Sequence, residues 1–369
     1  MIGVVEAFSP TYSIARAKFL KACAAAGLTV DSHVHPLKGG EGEEIAMDVA
    51  LDGAADAKQL LMVTSACHGV EGHCGSGVQV FSLYDDEWRD KARAAGVAVL
   101  YVHALNPHGF SHGRRVTNEN VDLNRNFSDY TKPLPVNAAY AELHALLLPA
   151  AWPPTPDNQE AINAWIATHG VAAYQAAVTG GQYQFEDGLF FGGKAPTWSN
   201  QTFRKVLRTH AQSARGLAWI DLHTGLGPNG LGERIFAARD DKAAYARANA
   251  WWGTPEMPVT SIYDGSSTSA FLTGLMCGAI YDECPAADYT GIALEYGTQP
   301  IMEVTGALRA DHWLYQHPEA LAELASSIRA RMLEAFYTNA DAWKGQIISQ
   351  ARQAMFQAVD GLTAAHSAR

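Results

Sequence analysis

The sequence has no excess of positive charge: 27 Lys and Arg stand against 38 Asp and Glu, a formal net charge of −11. Tracking a phosphate backbone needs a basic footprint, so nucleic acid is not an expected partner. No apolar run reaches the ~18–20 residues of a membrane span. The opening stretch, MIGVVEAFSPTYSIARAKF, has no basic segment leading into an apolar one, the mark of a secretory leader. A soluble, unprocessed, cytoplasmic chain with no membrane partner is expected. Cysteine is sparse, at positions 23, 67, 74, 277 and 284 only. An odd, scattered set is no disulfide framework, and Cys67 and Cys74 are too far apart for half of a C-x2–4-C zinc site. Buried, reduced thiols are expected at all five. Internal repeats and low-complexity tracts are absent as well.

What is present is a 369-residue chain that is 48% apolar, enough for a large core. Strand-like runs occur at Leu60 to Ser65, Val97 to Ala104, Leu217 to Leu222, Arg234 to Ala238 and Ile292 to Tyr296. Helical patterns lie between them at Ser13 to Ala25, Val78 to Ala95, Asn137 to Leu147 and Asn200 to Ala214. Such alternation predicts an α/β sheet covered on both faces. Near the C-terminus, Leu321, Leu324, Ile328 and Met332, then Ile348, Ala351, Met355 and Val359, fall at helical spacing and read as core-facing stripes. The least regular stretch, about Pro149 to Asn200, is expected to be an insertion roofing the site, with Tyr183, Phe185 and Phe190 as candidate walls or as packing beneath a lid. One domain over 1–369 is expected, with that insertion at about 149–200 and a helical segment at about 317–360.

Gly225, Gly227 and Gly230 satisfy G-x-G-x-x-G after the strand LAWIDLH, which would suit an oxidoreductase. That fingerprint needs a helix after the glycines, whereas GERIFAAR reads as a strand. A glycine-rich connection between strands is the better reading.

The residues that carry chemistry begin at CHGVEGHCG, where the chain leaves a buried strand and turns. His68 and Glu71, three apart on such a turn, can face one point. His223 ends the strand LAWIDLH in the matching position. Two His and one Glu suit a zinc that keeps a position open for water. By residue type alone, core packing is the commoner reading of the same three.

Between these ligands lies HALNPHGFSHGRRVTNENVDLNRNF. With HGVEG at 68–72, NPHGF at 106–110, RRV at 114–116, DLNRNF at 122–127, DLHTG at 221–225, SIY at 261–263 and LEYGT at 294–298, the chain resembles the zinc carboxypeptidase superfamily, in a bacterial branch of unknown function. The motifs keep the family's order over roughly 58–300. The resemblance implies a three-layer α/β/α sandwich of the phosphorylase/hydrolase-like kind with a mixed, largely parallel sheet, and one zinc on His68, Glu71 and His223.

Glu295, ending GIALEYG, is the candidate proton acceptor, since a carboxylate on a buried strand is otherwise a liability unless paired. Guanidinium groups suit oxyanions and carboxylates. The resemblance gives Arg115 the oxyanion, Asn124 and Arg125 the substrate's terminal carboxylate, and Tyr263 a mobile place over the substrate. Arg114 could exchange roles with Arg115. Asp122 is placed to accept the free ring N–H of His68.

The expected reaction is hydrolysis of an amide beside a free carboxylate, in a small peptide or amino-acid derivative. Acyl-removing relatives such as aspartoacylase and succinylglutamate desuccinylase share the metal triad, so an N-acyl amino acid is the alternative substrate. A catalytically silent zinc- or peptide-binding protein is the alternative from another class.

Overall fold

The structure, a computed structural model, describes residues 2–367. Eight strands form one sheet: β1 (Val30–Lys38), β2 (Glu44–Asp52), β3 (Gln59–Thr64), β4 (Val97–His103), β5 (Gly216–Asn229), β6 (Gly232–Phe236), β7 (Thr260–Ser261) and β8 (Asp288–Gly297). Their order is β1-β2-β4-β3-β5-β8-β6-β7. The centre, β4-β3-β5-β8, is parallel, and antiparallel pairings join β1 to β2, β2 to β4 and β6 to β8. This is the expected mixed, largely parallel α/β sheet.

The central strands read as continuous apolar runs because both faces are covered. Every residue of β4 is buried. On β5, Leu222 backs onto the helix Gly72–Leu83 at Gly75, while Trp219 on the other face meets Phe203 of the helix Trp198–His210 at 6.0 Å. All five cysteines are buried and free, as expected.

Three differences from the sequence reading have local causes. The helical pattern at Val78 to Ala95 is two helices, Gly72–Leu83 and Asp86–Ala94, because the Asp85 carboxylate caps the second by accepting from Trp88 N–H at 3.1 Å. The stretch 149–200 is not irregular throughout. Thr155 and Pro156 start the helix Pro156–His169, and Val171–Thr179 follows it. The C-terminal stripes lie on Ala322–Phe336 and Asp341–Ser367, with Ile328, Met332, Ile348, Ala351, Met355 and Val359 buried, but Leu321 precedes its helix and is exposed.

The decoy glycines lie in and just after β5, on the way to β6, so the connection is strand to strand. Gly225 has φ +124°, and a Cβ there would stand 2.8 Å from the Phe336 ring. Only glycine lets the strand pass that ring in this conformation.

Candidate metal centre

The centre sits beyond the C-terminal end of β3 and near that of β8, where parallel sheets bind ligands; His223 does not end its strand as expected, because β5 runs on to Asn229. Beyond β3 the chain turns at Ala66, which has φ +56°, and Leu105 and Asn106 donate their N–H groups to the carbonyls of Ser65 and Ala66. The next turn, HGVEG, is pinned from outside. Gly69 N–H donates to Arg115 O at 3.0 Å and Val70 N–H to Arg114 O at 2.9 Å. A Cβ on Gly69 would fall 2.0 Å from the Gly109 backbone, so the contact requires glycine.

His68, Glu71 and His223 come together, each offering a donor atom within 4.8 Å of the others. Nδ1 of His68 lies 2.8 Å from Glu71 Oε1, and Nδ1 of His223 lies 3.0 Å from Oε2. The opposite nitrogens face carboxylates: Nε2 of His68 is 3.2 Å from Asp122, and Nε2 of His223 is 2.7 Å from Asp221. A ring that gives its Nε2–H to a carboxylate keeps the Nδ1 lone pair for a metal, so the donor set fits a divalent ion such as zinc. Burial opposes the charge on Glu71, but the two imidazoles outweigh it and hold the carboxyl well below its usual range. Asp122 is likewise held low against its burial by Arg115 and His68. Asp221 and Glu71 raise His223 despite burial.

Asp221 is the residue the sequence reading missed. Its signal was present: in a strand, positions i and i+2 share a face, so the Asp and His of DLH point the same way.

The paired arginines separate. Arg115 turns inward, donating to Asp122 at 3.0 Å and Glu71 at 3.1 Å and reaching His68 Nε2 at 2.8 Å. Arg114 turns outward, onto Asp311 at 3.0 Å and over the Tyr315 ring at 4.0 Å. Of the two, Arg115 lines the cleft over the centre and Arg114 does not.

Glu295 stands beside His223 in the β5–β8 register and accepts Leu226 N–H at 3.0 Å. Burial, then the charge of Glu71, pushes its carboxyl up to about 8. That direction suits a group that exchanges protons near neutrality.

A cleft lies over these groups. Asn124 and Arg125 line it. Asn124 Oδ1 accepts Met276 N–H at 3.0 Å, which leaves its NH2 to face the cleft. Arg125 commits three N–H groups to the carbonyls of Thr179 and Asn124, leaving two of its five.

Of the aromatic candidates, only Phe190 lines the cleft. Its φ is +52°, an uncommon conformation for a bulky residue, and its ring lies 5.0 Å from the Arg115 guanidinium and 5.6 Å from that of Arg125. Tyr183 donates to Arg125 O at 2.8 Å, and Phe185 stacks on His144 at 4.1 Å, so both are packing. Tyr263 is not brought to the centre. Its hydroxyl donates to Ala238 O at 2.6 Å, its ring faces Phe271, and only its neighbour Ile262 lines the cleft.

Among curated proteins, no sequence matches this chain. Among solved structures, bovine thrombin-activatable fibrinolysis inhibitor, in complex with tick carboxypeptidase inhibitor, is similar at 10% identity and a TM-score of 0.50, over 97% of this chain and 98% of that one. A metallo-carboxypeptidase from Burkholderia cenocepacia (13% identity, TM-score 0.37, 86% and 66% covered) and a murein-tripeptide amidase from Escherichia coli O157 (14%, 0.36, 81% and 91%) are more distant. The first of these carries the likeness of fold. The model of the family described as a protein of unknown function, DUF2817, matches residues 8–350. The chain belongs to the DUF2817 family, and its fold is carboxypeptidase-like.

Proposed function

We propose that this protein is a zinc-dependent hydrolase that cleaves an amide bond next to a free carboxylate in a small peptide or amino-acid derivative. The observation that carries this reading is the convergence of two Nδ1 atoms on Glu71 with a carboxylate behind each ring, and Glu295 alongside. When bound, zinc lowers the pKa of a water towards ~7 and polarises a carbonyl.

The chain's own residues supply the rest. Glu295 takes a proton from the attacking water and returns it to the leaving nitrogen. Arg115 meets the oxyanion. Its present contact with His68 Nε2 and the Asp122 contact at the same atom are exclusive, because one needs a lone pair there and the other an N–H. The tautomer that leaves Nδ1 free for zinc gives Nε2–H to Asp122, which frees an Arg115 N–H for the oxyanion. The two remaining N–H groups of Arg125 and the Asn124 amide receive the carboxylate.

The test is Glu295→Gln with zinc measured by mass spectrometry. One zinc per chain is expected in both forms, with kcat lowered about 10²–10⁴-fold in the variant. Full turnover with zinc retained would sink the base assignment. No stoichiometric zinc in the wild type would sink the whole reading in favour of a binding protein.

A further inference from the structure

The ionisable side chains lining the cleft are His68, Glu71, His223, Glu295, Arg115 and Arg125. Under the reading above, three hold zinc, one moves a proton and two meet substrate oxygens. No charged group is left to recognise a further charge.

The two flanks of the centre differ in their polar content. Beside Asn124 and Arg125, the lining mixes Gln175, Thr179 and Ser269 with Ile262, Leu272 and Leu275. Beside Thr224 to Leu226, it is Val304, Thr305, Leu308 and Phe336, with Phe190 joining this wall to Arg115 and Arg125, all five 6% exposed or less. Except for Thr305, these belong to one packed apolar cluster that continues behind the cleft into Met332 and Leu189. Their position follows from contacts: a Cβ on Gly225 would meet Phe336 and Val304, and the Thr224 hydroxyl donates to Phe336 O at 2.6 Å. Leu226 N–H is taken by Glu295. Thr305 is therefore the polar side chain of this wall.

With the carboxylate at Arg125 and the scissile carbonyl at the metal centre, the acyl part of the substrate falls against that wall. A continuing peptide would bring N–H and C=O groups there, and a dipeptide would bring an ammonium. Such groups are costly to bury without partners. An alkyl or aryl group leaves nothing unpaired and gains from leaving water.

We infer that the wall formed by Phe190, Val304, Thr305, Leu308 and Phe336 receives a neutral apolar acyl group, so that the substrate is an N-alkanoyl or N-aroyl amino acid. This rests on the hydrolase reading. Water oxygen bonds to the acyl carbon as the C–N bond breaks, and one proton of the water passes through Glu295 to the nitrogen. The second leaves the new carboxylic acid for the amine, so that a fatty or aromatic carboxylate and an amino acid with a free ammonium group depart.

The test compares the zinc-loaded protein on N-hexanoyl, N-benzoyl and N-succinyl amino acids, free dipeptides and N-acetyl tripeptides, in series ending in alanine, leucine and phenylalanine. The hexanoyl and benzoyl compounds are expected to exceed the others in kcat/KM by about tenfold or more. Thr305→Asp, which sets a carboxylate on the wall, should shift the preference towards free dipeptides by about tenfold. If that variant does not fold, the wild-type series decides. Calorimetric titration of Glu295→Gln separates the two claims. Tighter binding of N-hexanoyl-leucine than of alanyl-leucine upholds the inference even if nothing is turned over, an outcome that overturns the hydrolase reading alone. Equal binding, or equal kcat/KM across the series, overturns the inference and leaves the hydrolase reading intact.

Discussion

The floor of the cleft and its walls are built by different physics. The floor is built on β3, β5 and β8, and its buried polar groups pair along neighbouring strands, as at Asp221, His223 and Glu295, and with the loop residues Arg115 and Asp122. The walls come from Phe190, the helix Ile301–Gln316 and Phe336, and from the segment Ile262 to Leu275. Strand rules, period two and neighbouring register, place Asp221, His223 and Glu295. Long-range packing places the walls. Under the proposed function, the proton-moving group sits where local rules hold, and substrate choice where they do not.

The pair Arg114 and Arg115 shows the largest expected contrast, because one lines the cleft and its neighbour lies outside both floor and walls. Arg115→Ala is expected to lower kcat about 10²–10³-fold, the effect of losing one oxyanion donor. Arg114→Ala removes an ion pair with Asp311 that lies away from the cleft. It should act on stability, with kcat within about threefold of wild type once folding is controlled by circular dichroism. Comparable kcat losses in both would break the distinction between the two arginines.

Acid should act on the fold at a residue outside both floor and walls. His103, at the end of β4, is fully buried, stacks on Phe19 at 4.6 Å and meets Ser76 Oγ at 2.9 Å. Burial lowers its pKa from 6.5 to about 4. The unfolded chain therefore takes up the proton first as pH falls. The resulting stability is complete above pH ~6.5, declines between ~6.5 and ~4, and amounts to about 3 kcal/mol in all. Urea unfolding at pH 7, 6, 5 and 4 should follow that decline, and His103→Gln should flatten it by a similar amount. An unchanged slope in the variant would show that other groups carry the acid sensitivity.

The same division explains what could be read from sequence. Strands β3, β4, β5, β6 and β8, the clustering of His68, Glu71 and His223, the place of Glu295 beside them and the Asp122–His68 pair were legible because apolar runs and short motifs report local structure. Strand β1 was not, since VDSHVHPLK is an exposed edge whose pattern carries little apolar signal. Nor was β2, where Asp48 is buried inside a strand because Arg16 pairs with it at 2.8 Å, a partner 32 residues away. Phe190 could be named as an aromatic under a roof but not separated from Tyr183 and Phe185. That choice depends on a bridge between Gln182 and Phe191 and on Asp122 N–H donating to Phe191 O at 2.8 Å.

Asp221 lies between these cases, visible as an i, i+2 partner of His223 but in need of structure to show the 2.7 Å contact. Asp221→Asn keeps the shape and removes the charge that favours the Nε2–H tautomer. Zinc affinity, measured by competition with a chromogenic chelator, should fall about 10–100-fold. Retained affinity would mean that the ring is oriented by its packing instead.

The smallest effect is expected at Tyr263, and it bears on the walls. In this structure its hydroxyl is held by Ala238 O, so any role over the substrate would require that bond to break and the 263–271 segment to move. If the wall is static, Tyr263→Phe costs one half-exposed hydrogen bond and changes kcat/KM by less than about threefold. A loss beyond tenfold with unchanged thermal stability would show that the tyrosine reaches the substrate after all. The walls would then supply chemistry as well as selection, and the division between floor and wall would fail at this residue.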